Sequence, residues 1–125
     1  MGARTTWQIK TETGNAVTWL YSHWGGENKL SDTKRALREA RPRWSDTPYG
    51  ARIFISQIVG NDWERETGYG ITTGEENNPP FEEEYDYVKV DFTTQTITYG
   101  AFVFSFGNFV ELEANTILVE YDPTA

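Results

Sequence analysis

His23 is the only histidine of the chain, and it sits in the run Trp19-Leu20-Tyr21-Ser22-His23-Trp24-Gly25-Gly26. An imidazole whose pKa lies near its ordinary value of about 6.5 can give or take a proton around neutral pH. Tyr21 and Trp24 flank it and can both fix the ring and offer a stacking surface. The plain alternative is a structural histidine, satisfied by backbone or a carboxylate within an aromatic cluster. Alternation along a strand would set Trp19, Tyr21 and His23 on one side, with Leu20 and Ser22 on the other. A one-sided row of rings makes a pocket wall, so ligand contact is the role expected of His23. Catalysis is the lesser expectation, because no serine, aspartate or second histidine stands at a diagnostic spacing.

Gly25-Gly26 permits positive φ or a close backbone approach. Strand, glycine turn and helix in that order can expose backbone N–H groups to an anion. Neither a P-loop nor a dinucleotide fingerprint accompanies the pair, so a tight turn is the default and backbone donation the sharper alternative. Tyr49 and Arg52 are three apart and share a face if their segment is helical. Arginine could grip a phosphate or carboxylate and tyrosine could stack on a base; an ordinary surface pair explains them equally well. Tyr69, between Gly68 and Gly70, is either a ring presented from a constrained loop or a core plug. Six carboxylates cluster at Glu75, Glu76, Glu82, Glu83, Glu84 and Asp86. Their spacing matches no calcium loop, and a solvated surface or a mimic of a nucleic-acid backbone remains.

These residues must be positioned by elements that the pattern outlines. Thr6 to Lys10 and Val17 to Tyr21 flank the turn signal Thr13-Gly14-Asn15 and predict a hairpin. Glu27 to about Arg41 predicts a helix with Leu30, Leu37 and Ala40 on one face, ended by Pro42. Thr47-Pro48 has the form of an N-cap followed by proline at the first helical position, and Gly60 that of the residue past the end. The β-formers Ile53-Phe54-Ile55 oppose this, but the caps predict a helix over Pro48 to Val59. Gly68 to Thr72 is a short strand or turn, and Glu75 to Asp86 an acidic loop. Val88 to Phe92 and Thr96 to Tyr99 predict a second hairpin. Phe102 to Val110 is a dense apolar segment broken at Gly107-Asn108, and Thr116 to Tyr121 a final strand.

The chain of 125 residues suits one domain. Aromatic residues make up 15% of it, so rings should fill much of the core. The absence of cysteine excludes disulfides and thiolate metal sites, and fits a reducing cytoplasm. No apolar run approaches membrane-spanning length and no signal-peptide pattern is present. A net charge of −8 argues against a protein that grips phosphate backbones without regard to sequence, and suits a basic partner or plain solubility.

Three motifs in order resemble small uncharacterised proteins of bacteriophages and prophages: Tyr21 to Gly26, then Arg43 to Ile53, then Thr67 to Ile71. The resemblance implies an accessory phage protein in the bacterial host cytoplasm, a class that often blunts host defence.

The expected fold is α+β: an antiparallel sheet with two helices packed on one face. The expected function is capture of a nucleotide-like small molecule of host immunity, without catalysis, cofactor or metal. Its ligand-binding residues would be Tyr21, His23, Trp24, Gly25, Gly26, Tyr49, Arg52 and Tyr69, in a site that a homo-oligomer interface could complete. Negative net charge opposes this unless Arg38, Arg41, Arg43 and Arg52 focus positive potential. The alternative is an acidic protein that inhibits a host nucleic-acid-targeting complex, of anti-CRISPR or anti-restriction type, with no direct nucleic-acid contact. A small enzyme using His23 as general acid–base ranks third.

Overall fold

A computed structural model describes residues 5–23, 28–80 and 87–111. Strands β1 (Thr5–Lys10) and β2 (Ala16–Ser22) form the first hairpin, antiparallel, with Trp7 opposite Leu20. Helices α1 (Lys29–Glu39) and α2 (Thr47–Val59) follow, joined through a 3-10 turn over Arg41–Arg43. The chain returns as β3 (Tyr69–Glu75), and then runs through β4 (Val88–Asp91), β5 (Thr96–Tyr99), β6 (Phe102–Ser105) and α3 (Phe106–Glu111). The strands make one sheet in the order β3-β2-β1-β4-β5-β6.

The α+β class holds, with two additions. β1 and β4 pair in parallel, Trp7 beside Val88, while the other neighbours are antiparallel. A third helix joins the two expected. Periodicity explains the layering. Trp7, Ile9, Leu20, Val88, Val90, Ile97 and Tyr99 fall on one side of the sheet through their register. They share a single buried cluster with Leu30, Ala36 and Leu37 of α1, Phe54, Ile58 and Val59 of α2, and Phe106, Phe109 and Val110 of α3.

Each helix has a local cause. α1 buries Leu30, Thr33, Ala36 and Leu37 at helical spacing. It stops at Glu39, short of the expected Arg41, and Pro42 lies in the 3-10 turn that follows. α2 begins one residue earlier than predicted, with Asp46 in the capping position and Pro48 in the first turn. Gly60 ends it at φ 61°, a conformation that glycine adopts without strain. The helix thus forms over the strand-prone Ile53-Phe54-Ile55, with Asp46 rather than Thr47 in the N-cap position and no capping bond from its side chain.

α3 corrects one expectation: it runs straight through Gly107-Asn108, where the sequence predicts a break. The Ser105 hydroxyl accepts a hydrogen bond from the Asn108 N–H at 3.2 Å, capping the helix, and Phe106 packs edge-to-face on Phe92 and Trp44. Glu75 lies in β3 rather than in the acidic loop. Glu76 lies in the turn that follows; Glu82, Glu83, Glu84 and Asp86, and the strand expected over Thr116 to Tyr121, lie outside the described residues. Among the described residues, no helix is long and apolar enough to cross a membrane.

Candidate functional site

Tyr21 lies near the end of β2 and His23 just beyond it. Tyr21 is opposite Thr6 and Gly70, on the sheet side away from the three helices. Tyr21 Oη and His23 Nδ1 share a 3.0 Å hydrogen bond, with ring centroids 6.3 Å apart. The His23 backbone N–H donates to the Gly68 carbonyl at 2.8 Å, which ties this turn to the start of β3. His23 is exposed and Tyr21 half-buried. Trp19, on the same side, is fully buried and meets Tyr87 edge-to-face at 5.1 Å. The alternation expected of β2 is therefore present, but only Tyr21 and His23 reach the surface. Trp24, Gly25 and Gly26 lie outside the described residues.

Tyr49 and Arg52 do share one side of α2, as their spacing predicts, and both are exposed. Arg52 Nη1 donates to Ser56 Oγ at 3.4 Å, and the Arg43 guanidinium stands 5.6 Å from the Tyr49 ring centroid. Arg43 also approaches Asp46 at 3.9 Å, an exposed pair worth little. Tyr69 pairs with Ser22 in register, on the helix side of the sheet, where its ring packs half-buried against the core.

The five described residues of the expected ligand set, Tyr21, His23, Tyr49, Arg52 and Tyr69, are thus divided between the two sides of the sheet. The structure brings Tyr21 to His23, and Tyr49 to Arg52 with Arg43. The sheet stands between these two groups. The physical reason is the parity of β2: Leu20 must face the helices to join the core, and that sends Tyr21 to the opposite side.

Charge is distributed as unevenly as the rings. Residues 28–59, which carry α1, α2 and their connecting turn, hold seven lysines and arginines against three acids, a net +4. The rest of the chain holds four bases and sixteen acids, a net −12. On the helical layer Arg35 pairs with Asp32, Arg41 with Glu111, and Arg38 reaches the Val110 carbonyl. Away from it, Lys10 is bound to Glu76 at 3.2 Å and Arg65 to Asp62 at 2.9 Å, so two of the scarce bases are already engaged.

Four buried polar atoms have no hydrogen-bond partner among the described residues: Thr5 Oγ1, Thr6 Oγ1, Trp19 Nε1 and Ser22 Oγ. Sequence reasoning missed them, since a threonine or serine at a strand end gives no sign of its burial. It also missed the character of β3, where Ile71, Thr72, Thr73, Gly74 and Glu75 are all exposed. The β-branched run Ile71-Thr72-Thr73 was the available signal.

No protein-family model, curated protein or solved structure matches the chain.

Proposed function

We propose that this chain is a non-enzymatic protein-binding inhibitor, presenting acidic surface to a basic nucleic-acid-binding channel of a host defence complex. The observation that carries this reading is the charge partition along the chain: −12 outside residues 28–59 against +4 within them. An excess of acids over bases steers a basic partner and repels nucleic acid itself. The three motifs that resemble phage and prophage proteins support an accessory role during infection. The separation of Tyr21 and His23 from Tyr49 and Arg52 weighs against a single small-molecule pocket, which needs concavity and convergent polar groups.

The test is displacement of a labelled DNA or RNA duplex from purified restriction or CRISPR effector complexes, followed by fluorescence anisotropy. The wild-type chain should displace the duplex from at least one complex, less effectively as salt rises. The triple variant Glu82→Gln, Glu83→Gln, Glu84→Gln should be about tenfold weaker, as expected when charges that steer association are removed. No displacement across the panel, or equal potency of the triple variant, would sink the reading.

One observation favours a second reading. Arg43, Tyr49 and Arg52 together could hold a nucleotide-like ligand by stacking and phosphate contact. Thermal melting against cyclic and linear nucleotides decides it, since a ligand that binds only the native state raises the midpoint.

A further inference from the structure

β3 is an open edge. It pairs with β2 over its whole length, from Ser22 opposite Tyr69 to Ala16 opposite Glu75, without a bulge. The ladder fixes which backbone groups are used. The His23 N–H donates to Gly68, and the Glu76 N–H donates to Asn15, one at each end of the same register. Hydrogen-bonded pairs alternate along an antiparallel ladder. Gly70, Thr72 and Gly74 therefore turn their N–H and C=O toward β2, and Tyr69, Ile71, Thr73 and Glu75 turn theirs outward. Five consecutive residues, Ile71 to Glu75, are exposed, so both faces of this edge are uncovered. Ile71 alone is 53% exposed.

Natural edge strands are usually blunted by proline, lysine, a bulge or shortness. The sequence Tyr-Gly-Ile-Thr-Thr-Gly-Glu of β3 has none of these. The opposite edge, β6, is only four residues long and passes directly into α3. β3 is thus the edge equipped to accept another strand.

We infer that β3 docks an extended, lysine- or arginine-bearing segment of a partner protein, which adds to the sheet as a seventh strand. The charge at its ends selects this occupant. Glu64 and Glu66 precede the strand and Glu75 ends it, all three exposed, while Arg65 between the first two is paired with Asp62 and Glu76 just beyond with Lys10. Pairing with a second copy through a two-fold axis would set these acidic ends against each other, which is unfavourable. A partner strand with β-branched residues at its centre and bases at its ends meets them favourably. The partner's basic character agrees with the inhibitor reading and rests on it; the open edge itself does not.

The probe is a capped heptapeptide, Lys-Thr-Val-Thr-Val-Thr-Lys, added to the isotope-labelled full chain and followed by amide NMR. Shift changes should centre on residues 69–75. Amide exchange should slow at Tyr69, Ile71, Thr73 and Glu75, and stay unchanged at Gly70 and Thr72, which already bond to β2. A glutamate-ended peptide should bind about tenfold more weakly, through like charges at both ends. Thr73→Pro removes an outward N–H without touching the β2 ladder, and should weaken the lysine peptide about tenfold while leaving the circular dichroism spectrum intact. The double variant Glu66→Lys, Glu75→Lys keeps the backbone and should reverse the preference between the two peptides, which settles the matter if Thr73→Pro misfolds. Shifts away from β3, equal binding of both peptides by the wild type, or undiminished binding by a folded Thr73→Pro would overturn the assignment. The two readings fail separately. Loss of duplex displacement with the heptapeptide still on β3 removes the inhibitor reading alone; displacement without any heptapeptide response removes the edge alone.

Discussion

Trp7 and Thr33 bind the centre of the sheet to its first helix. The indole N–H donates to Thr33 Oγ1 at 2.7 Å, and the Thr33 hydroxyl donates in turn to the Lys29 carbonyl at 2.5 Å. Both side chains are buried, so the bond is shielded from water and fixes α1 along β1. Thr33→Val keeps the shape and removes the acceptor. It should destabilise by about 2 kcal/mol, because a buried donor is left unpaired. Urea denaturation measures this, and a loss below a few tenths would show that the indole finds another partner.

Two helical glycines should respond to alanine with opposite signs. A Cβ at Gly50 would lie 2.6 Å from the Arg43 carbonyl and 2.9 Å from Phe92 Cε1, neither of which can swing away cheaply. Gly50→Ala should therefore lower stability by about 2 kcal/mol despite alanine's better helix propensity. Gly107 faces open space in α3, and Gly107→Ala should raise stability by about 0.5 kcal/mol. Denaturation midpoints of the two variants, moving in opposite directions from the wild type, are the check.

The bonds that hold the turn after β3 to the sheet are of different kinds. Lys10 pairs with the Glu76 carboxylate, while Gln8 Nε2 donates to the Glu76 carbonyl at 2.8 Å. Their side chains in the ion pair are 16% and 30% exposed, so the pair is partly shielded. Glu76→Gln removes the charge and leaves the backbone bond. It should cost about 0.5–1 kcal/mol at low ionic strength, and the difference from wild type should shrink in about 1 M salt. A salt-independent difference would mean that packing, not charge, was lost.

His23→Ala should leave stability within about 0.5 kcal/mol of the wild type, because the side chain is exposed. It should also leave duplex displacement intact under the inhibitor reading. The nucleotide panel should leave the melting midpoint of the wild type unmoved. A midpoint raised by one nucleotide, and restored to its unliganded value by Arg52→Ala, would instead establish the small-molecule reading.

Much of the local structure was legible in the residues. Alternation located both hairpins, and proline with glycine located α2 against its own strand propensity. The break assigned to Gly107-Asn108 failed because the Ser105 hydroxyl caps a helix there, a bond whose donor lies three residues along and leaves only a faint trace in sequence. The grouping of His23 with Arg52 failed for a different reason. Each was given its correct local face, but nothing in either segment says that helix and strand present those faces to opposite sides of a sheet.

The sequence by itself determined which residues alternate, where helices start and stop, and how unevenly charge is spread, because these follow from neighbours a few positions apart. The tertiary structure alone decided that β1 lies parallel to β4, that Trp7 reaches Thr33, and that β3 is an edge among the described residues. Those outcomes depend on pairing between segments tens of residues apart. Burial of one common core selects that pairing, and no local pattern encodes it.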